Sequence, residues 1–179
     1  MRVLTILKLA LFALLLASPT FAQNTPAPPL ADGCGADEVH FEVKTDKKQH
    51  PTANPNPGKA LVYVIGDSAE DHVTVHIGYP PVRFGVDGAW VGANGYRSYF
   101  FFPVDPGDHR LCTNMQSKLK RQVNASTAAT SFIAEAGQSY YFRTKTQVDS
   151  GRIQLVPVDP AEAQILLASA SFSTFQIKK

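Results

Sequence analysis

The chain has 179 residues, of which 18% are charged, and a formal net charge of +2. That near-neutral balance excludes the broad basic face a nucleic-acid surface needs, because the lysines and arginines are scattered apart from Lys118-Leu119-Lys120-Arg121, a solvated turn or strand end. The length suits one domain with a sizeable core, and no period of 20 to 50 residues recurs, so repeat architectures are excluded.

Met1 to Lys8 carries two cations and precedes an uncharged apolar run, Leu9 to Ala17, followed by Pro19, Thr20 and Ala22. This pattern is a secretory signal with a cut after Ala22. It is not a transmembrane span, which needs roughly 20 apolar residues without an interruption such as Lys8. No cysteine closes the apolar run, as a lipid anchor requires. The expected location is periplasmic or secreted. Residues 23–57 read as a proline-rich leader and N-terminal arm, and 58–179 as the folded domain. In an oxidising compartment Cys34 and Cys112 are expected to form a disulfide, since no C-x-x-C pair marks a reactive thiol.

Gln23 to Asp32 has too much proline to pack. Val39 to Lys44 alternates, with Val39, Phe41 and Val43 on one side, and predicts a short strand or edge segment. His40 and Glu42 share its other face, a solvated pair too sparse for a metal site. Asp46 to Gly58 is a polar loop. Ala60 to Ile65 is almost unbroken in apolar character, the mark of a strand covered on both faces. His72 to Ile77 alternates again. His72 and His76, four apart on a strand, stand about 13 Å from each other, too far to share one ion.

Arg83 to Gly92 reads as a tight hairpin turning at Asp87-Gly88, a pair that tolerates positive φ. Tyr96 to Val104 is an aromatic strand with Phe100 and Phe102 on one face and Tyr99 and Phe101 on the other. Its second face is expected to be covered by the N-terminal arm or a C-terminal helix; the competing reading makes Trp90, Tyr99 and Phe101 an exposed candidate binding patch. Pro106-Gly107 turns the chain into a strand from His109, in which Cys112 points away from the face filled by Leu111. A bridge to Cys34 then holds the arm on the outer face or edge of that sheet. Asn124-Ala125-Ser126 is a glycosylation sequon by pattern.

Ser126 to Glu135, Ser139 to Thr146 and Arg152 to Val158 complete the main strands. Asp159-Pro160 opens a short helix, whose Ile165, Leu166 and Leu167 are expected to dock on the sheet. Phe172 to Ile177 alternates as a last edge strand. The predicted fold is all-β: an antiparallel two-sheet β-sandwich, immunoglobulin- or transthyretin-like, with a short C-terminal helix.

The order Gly58-Lys59-Ala60-Leu61-Val62-Tyr63-Val64, then Val86-Asp87-Gly88 with Val91-Gly92, then Gly95-Tyr96 leading to Pro106-Gly107-Asp108-His109, then Ala136-Gly137-Gln138-Ser139-Tyr140-Tyr141, resembles small secreted or lipid-anchored bacterial envelope domains of the PEGA type. The resemblance covers Gly58 to Ala168 and rests on turn residues and strand order, which specify a fold and no chemistry. The Asp46 to Gly58 loop and the cysteine pair lie outside that pattern.

The resulting expectation is a non-catalytic structural or binding module of the cell envelope, without a cofactor or a bound metal, whose partner is an envelope protein or a glycan. The alternative is a hydrolase acting on wall components through His72, Asp87 and His109. Yet Asp87 is explained by its turn and His109 by its strand, and no serine sits in a nucleophile elbow.

Overall fold

The computed structural model describes residues 34–66, 80–116, 127–146 and 152–178. The expected signal sequence and leader, the strand expected over His72 to Ile77, Lys118 to Arg121 and the sequon pattern lie outside these residues. Ten strands and one helix follow in order: β1 (Phe41–Asp46), β2 (Ala60–Gly66), β3 (Val82–Val86), β4 (Ala89–Asn94), β5 (Ser98–Val104), β6 (Gly107–Met115), β7 (Thr127–Ala134), β8 (Ser139–Thr146), β9 (Ile153–Val158), α1 (Pro160–Ser169) and β10 (Ser171–Ile177). They form a six-stranded sheet, β1-β10-β5-β2-β8-β9, and a four-stranded sheet, β4-β3-β6-β7.

Side-chain alternation assigns the layers. Val62 and Val64 on β2, Phe100 and Phe102 on β5 and Phe142 on β8 meet Phe84 on β3 and Leu111 on β6, so the core lies between the two sheets. Each such side chain removed from water contributes about 1.5–3 kcal/mol. On the far face of the six-stranded sheet, Leu61, Tyr63, Ile65 and Tyr99 form a second cluster with Leu167 and Ala170. All seven residues of β2 are therefore buried, as its unbroken apolar character predicts.

The β3–β4 turn has Asp87 at φ 52° and Gly88 at φ 84°, both in the left-handed region that a primed hairpin turn demands. Near Trp90 the register of β3 against β4 shifts by a bulge between Phe84 and Gly85. The Asp159 carboxylate accepts from the amides of Ala161 and Glu162, and Pro160 opens α1 where no amide is needed.

Three expectations are corrected. The six-stranded sheet is mixed, because β2 runs parallel to β8 and β10 parallel to β5. The last strand is not an edge: β10 lies between β1 and β5, held by Ser173 Oγ donating to Ser98 Oγ at 2.7 Å. Ile165 does not dock. It is 73% exposed, and α1 instead buries Ala163 and Leu167, four positions apart on one side of the helix.

Candidate functional site

Residues 34–39 cross the outer face of the four-stranded sheet, and three anchors hold them there. Cys34 and Cys112 are bridged, with Cα atoms 5.6 Å apart. Cys112 points away from Leu111 and the core, so the bridge fastens the arm to the outer face, as expected. Arg83, the residue of β3 beside inward-facing Phe84, is buried on that same outer face. Its Nη1 donates to the carbonyls of Asp37 and Val39, the former at 3.2 Å, and its Nη2 donates to Asn114 Oδ1 at 2.7 Å. Burial lowers the Arg83 pKa, and the charge of Asp37 opposes that shift. The third anchor is Trp90, whose Nε1 donates to the Ala36 carbonyl at 2.7 Å while the Arg83 guanidinium lies 4.3 Å from the ring centre. Gly35 fits here because any β-carbon would strike the indole, and Gly85 because one would strike the Cys34 carbonyl.

Beside this arm, where the edge of β4 approaches β1 and β10, opens a groove of about 530 Å³. Phe41, Val91, Phe175 and Ile177 supply its apolar lining, Trp90 joins them, and Gln176 offers an amide. Ile177 is 63% exposed. Phe175 also reaches back into the core, packing edge-on to Phe41 and Phe100 and filling the space left by Gly92. The floor is thus continuous with the core, and the disulfide-fixed arm forms one wall.

The proposed patch residues are not brought together. Trp90 lies half-buried on the four-stranded sheet. Tyr99 is 1% exposed beneath α1 and the 51–53 segment, its hydroxyl donating to the Pro51 carbonyl at 3.0 Å. Burial, reinforced by the charge of Tyr63, pushes its pKa up to about 12. Phe101 is half-buried between Tyr63 and Phe172. The second face of β5 is covered, and Trp90 lines a groove.

Asp87 and His109, the hydrolase candidates, do meet. His109 Nδ1 is 2.7 Å from Asp87 Oδ2 and its Nε2 is 2.7 Å from the Asp105 carbonyl. The other Asp87 oxygen accepts from the Arg110 amide at 2.8 Å. Both imidazole nitrogens are thus engaged within the protein. His72 lies outside the described residues. His40 and Glu42 are exposed, Glu42 accepting from Gln176 Nε2 at 3.1 Å. Among the described residues no three His, Cys, Asp or Glu side chains gather as metal ligands.

Sequence reasoning missed Arg83, Phe175 and Ile177. The alternation of β3 places Arg83 opposite Phe84 and so on an outer face, but nothing local says that an arm buries it there. Comparison with known protein families, curated proteins and solved structures returns no match for this chain.

Proposed function

We propose that the chain is an exported, non-catalytic module of the bacterial cell envelope, a β-sandwich of the immunoglobulin or transthyretin type that binds an extended apolar segment of another envelope protein in the Trp90 groove. The observation that carries this reading is the groove itself: its lining from Phe41, Val91, Phe175 and Ile177 is apolar, and its wall is fixed by a disulfide and a buried arginine. Preorganisation of this kind limits the entropy lost on binding. A glycan, rich in hydroxyls, finds fewer partners there, since among the described residues the polar side chains lining the groove are Gln176 and Trp90, whose Nε1 is already donated to the Ala36 carbonyl. The disulfide supports an oxidising compartment. The engaged nitrogens of His109 support a structural task for the Asp87–His109 pair over a hydrolytic one.

Trp90 is the sole tryptophan, so its emission reports the groove directly. Titration with detergent-solubilised envelope proteins should give a saturable emission shift that Ile177→Asp weakens at least tenfold. A shift produced only by wall glycan fragments, or hydrolysis of those fragments by the purified chain, would refute the assignment.

A further inference from the structure

Four strands terminate the two sheets: β1 and β9 the larger, β4 and β7 the smaller. A bare edge invites another strand unless something guards it. Three of these edges are guarded. On β1 the Gln116 amide occupies the outward main chain of Phe41, Oε1 accepting from its N at 2.7 Å and Nε2 donating to its O at 2.8 Å, and the strand carries the charges of Glu42, Lys44 and Asp46. On β9 Pro157 offers no amide. On β4 the bulge interrupts the register and the arm crosses at Trp90.

Among the described residues the fourth edge has no such device. β7 reads Thr-Ala-Ala-Thr-Ser-Phe-Ile-Ala, without proline or charge, and pairs β6 in unbroken register from Thr127 to Ala134. The direction of its free groups follows from β6. Asp87 N donates to the Arg110 carbonyl and Arg110 N to Asp87 Oδ1, so the Arg110 main chain faces the β3–β4 hairpin. By alternation His109, Leu111 and Thr113 face β7, opposite Phe132, Thr130 and Ala128. The main-chain groups of Thr127, Ala129, Ser131 and Ile133 therefore point away from the sheet, and all four residues are exposed, Ile133 at 67%. A groove of about 290 Å³ separates Thr130 to Phe132 from Ser139 to Phe142, leaving room along the edge.

We propose that β7 is a self-association edge, through which two copies of this chain pair antiparallel about a twofold axis and merge their four-stranded sheets into one. The sequence of β7 is compatible with itself in this arrangement. With Thr130 opposite Thr130 of the second copy, Ala129 meets Ser131 and Thr127 meets Ile133, and no charge opposes a like charge anywhere along the ladder. The second copy is favoured over a foreign strand because this pairing satisfies the outward main-chain groups of both edges at once.

Sedimentation of the full chain should show a reversible species of about twice the chain mass. Ser131→Pro removes an outward amide without touching the ladder to β6 and should leave a folded monomer. Ala129→Lys, an exposed change that places two cations near the axis, should separate the copies without altering the main chain. Thr130→Cys should cross-link the dimer on mild oxidation, since non-hydrogen-bonded partners stand about 4.5 Å apart at Cα. A chain monomeric at every attainable concentration, or a dimer indifferent to both Ser131→Pro and Ala129→Lys, would overturn the proposal. So would a pure chain that stays monomeric while its Ala129 and Ser131 amides gain protection only when envelope proteins are added, which would assign the edge to a foreign strand. Loss of ligand binding in the Trp90 groove leaves this outcome untouched, because the two sites lie at opposite ends of the four-stranded sheet.

Discussion

His109 sits with one ring nitrogen against the Asp87 carboxylate and the other against the Asp105 carbonyl, and only the protonated ring has two N–H groups to donate to these two acceptors. Burial against Phe132 lowers its pKa, but the Asp105 carbonyl and the Asp87 carboxylate outweigh that effect and raise it above 6.5. The Asp105 carboxylate, itself paired with Lys59 Nζ at 2.6 Å, adds to that rise. A folded-state pKa above the unfolded one means that the stabilisation is fully present below pH 6.5 and fades as pH rises through the raised value. The melting temperature should therefore fall across neutral pH, and His109→Gln should flatten that profile; an equally steep profile in the variant would refute the assignment. A second residue-level prediction concerns Gly85. A methyl group there meets the Cys34 carbonyl, so Gly85→Ala should destabilise the fold by about 1–3 kcal/mol in chemical denaturation and speed amide exchange in residues 34–39.

Among the elements, α1 depends on its first turn. Asp159 closes two of its free amides, and Asp159→Ala should cost about 1 kcal/mol, read as a shift in the denaturation midpoint at unchanged slope. This helix also shows how far local sequence carries. Its start was legible because Asp and Pro act on the amides next to them. Its buried side was not, because the run Ile165-Leu166-Leu167 offers more apolar surface than the sheet accepts, and the face is settled by Tyr63 and Tyr99 on strands far away in the chain. The same division holds for the strands. Asp87-Gly88 fixes the β3–β4 hairpin by a short-range rule, whereas Pro106-Gly107 carries the chain from β5 in one sheet to β6 in the other, where β6 pairs β3 across two intervening strands. The placement of β10 depends on pairing with β1 and β5, and alternation in Phe172 to Ile177 is equally compatible with an edge or an interior position. The candidate site was half legible for the same reason: Trp90 announced itself by type, whereas Phe175 and Ile177 reach the groove through that non-local pairing.

At the scale of the molecule, the Cys34–Cys112 bridge closes a loop of 78 residues. The chain-entropy model gives such a closure roughly 4–5 kcal/mol. Replacing both cysteines by alanine should lower unfolding stability toward that amount while leaving the circular dichroism of the sheets intact. Loss of the sheet signal itself would mean that the arm does more than restrain the unfolded chain. Because Arg83 and Trp90 would still hold residues 36–39, the arm in the variant should fray from its N-terminal end rather than detach along its length.

The position of β10 bears on the order in which the molecule can be assembled. Glu42 and Gln176 touch across a separation of 134 residues, and among the described residues β1 has no neighbour in its sheet other than β10. A chain emerging N-terminus first presents β1 early and leaves it without its sheet partner until residues 171–177 arrive to bridge it to β5. The topology thus postpones closure of the larger sheet until the C-terminal strand is available.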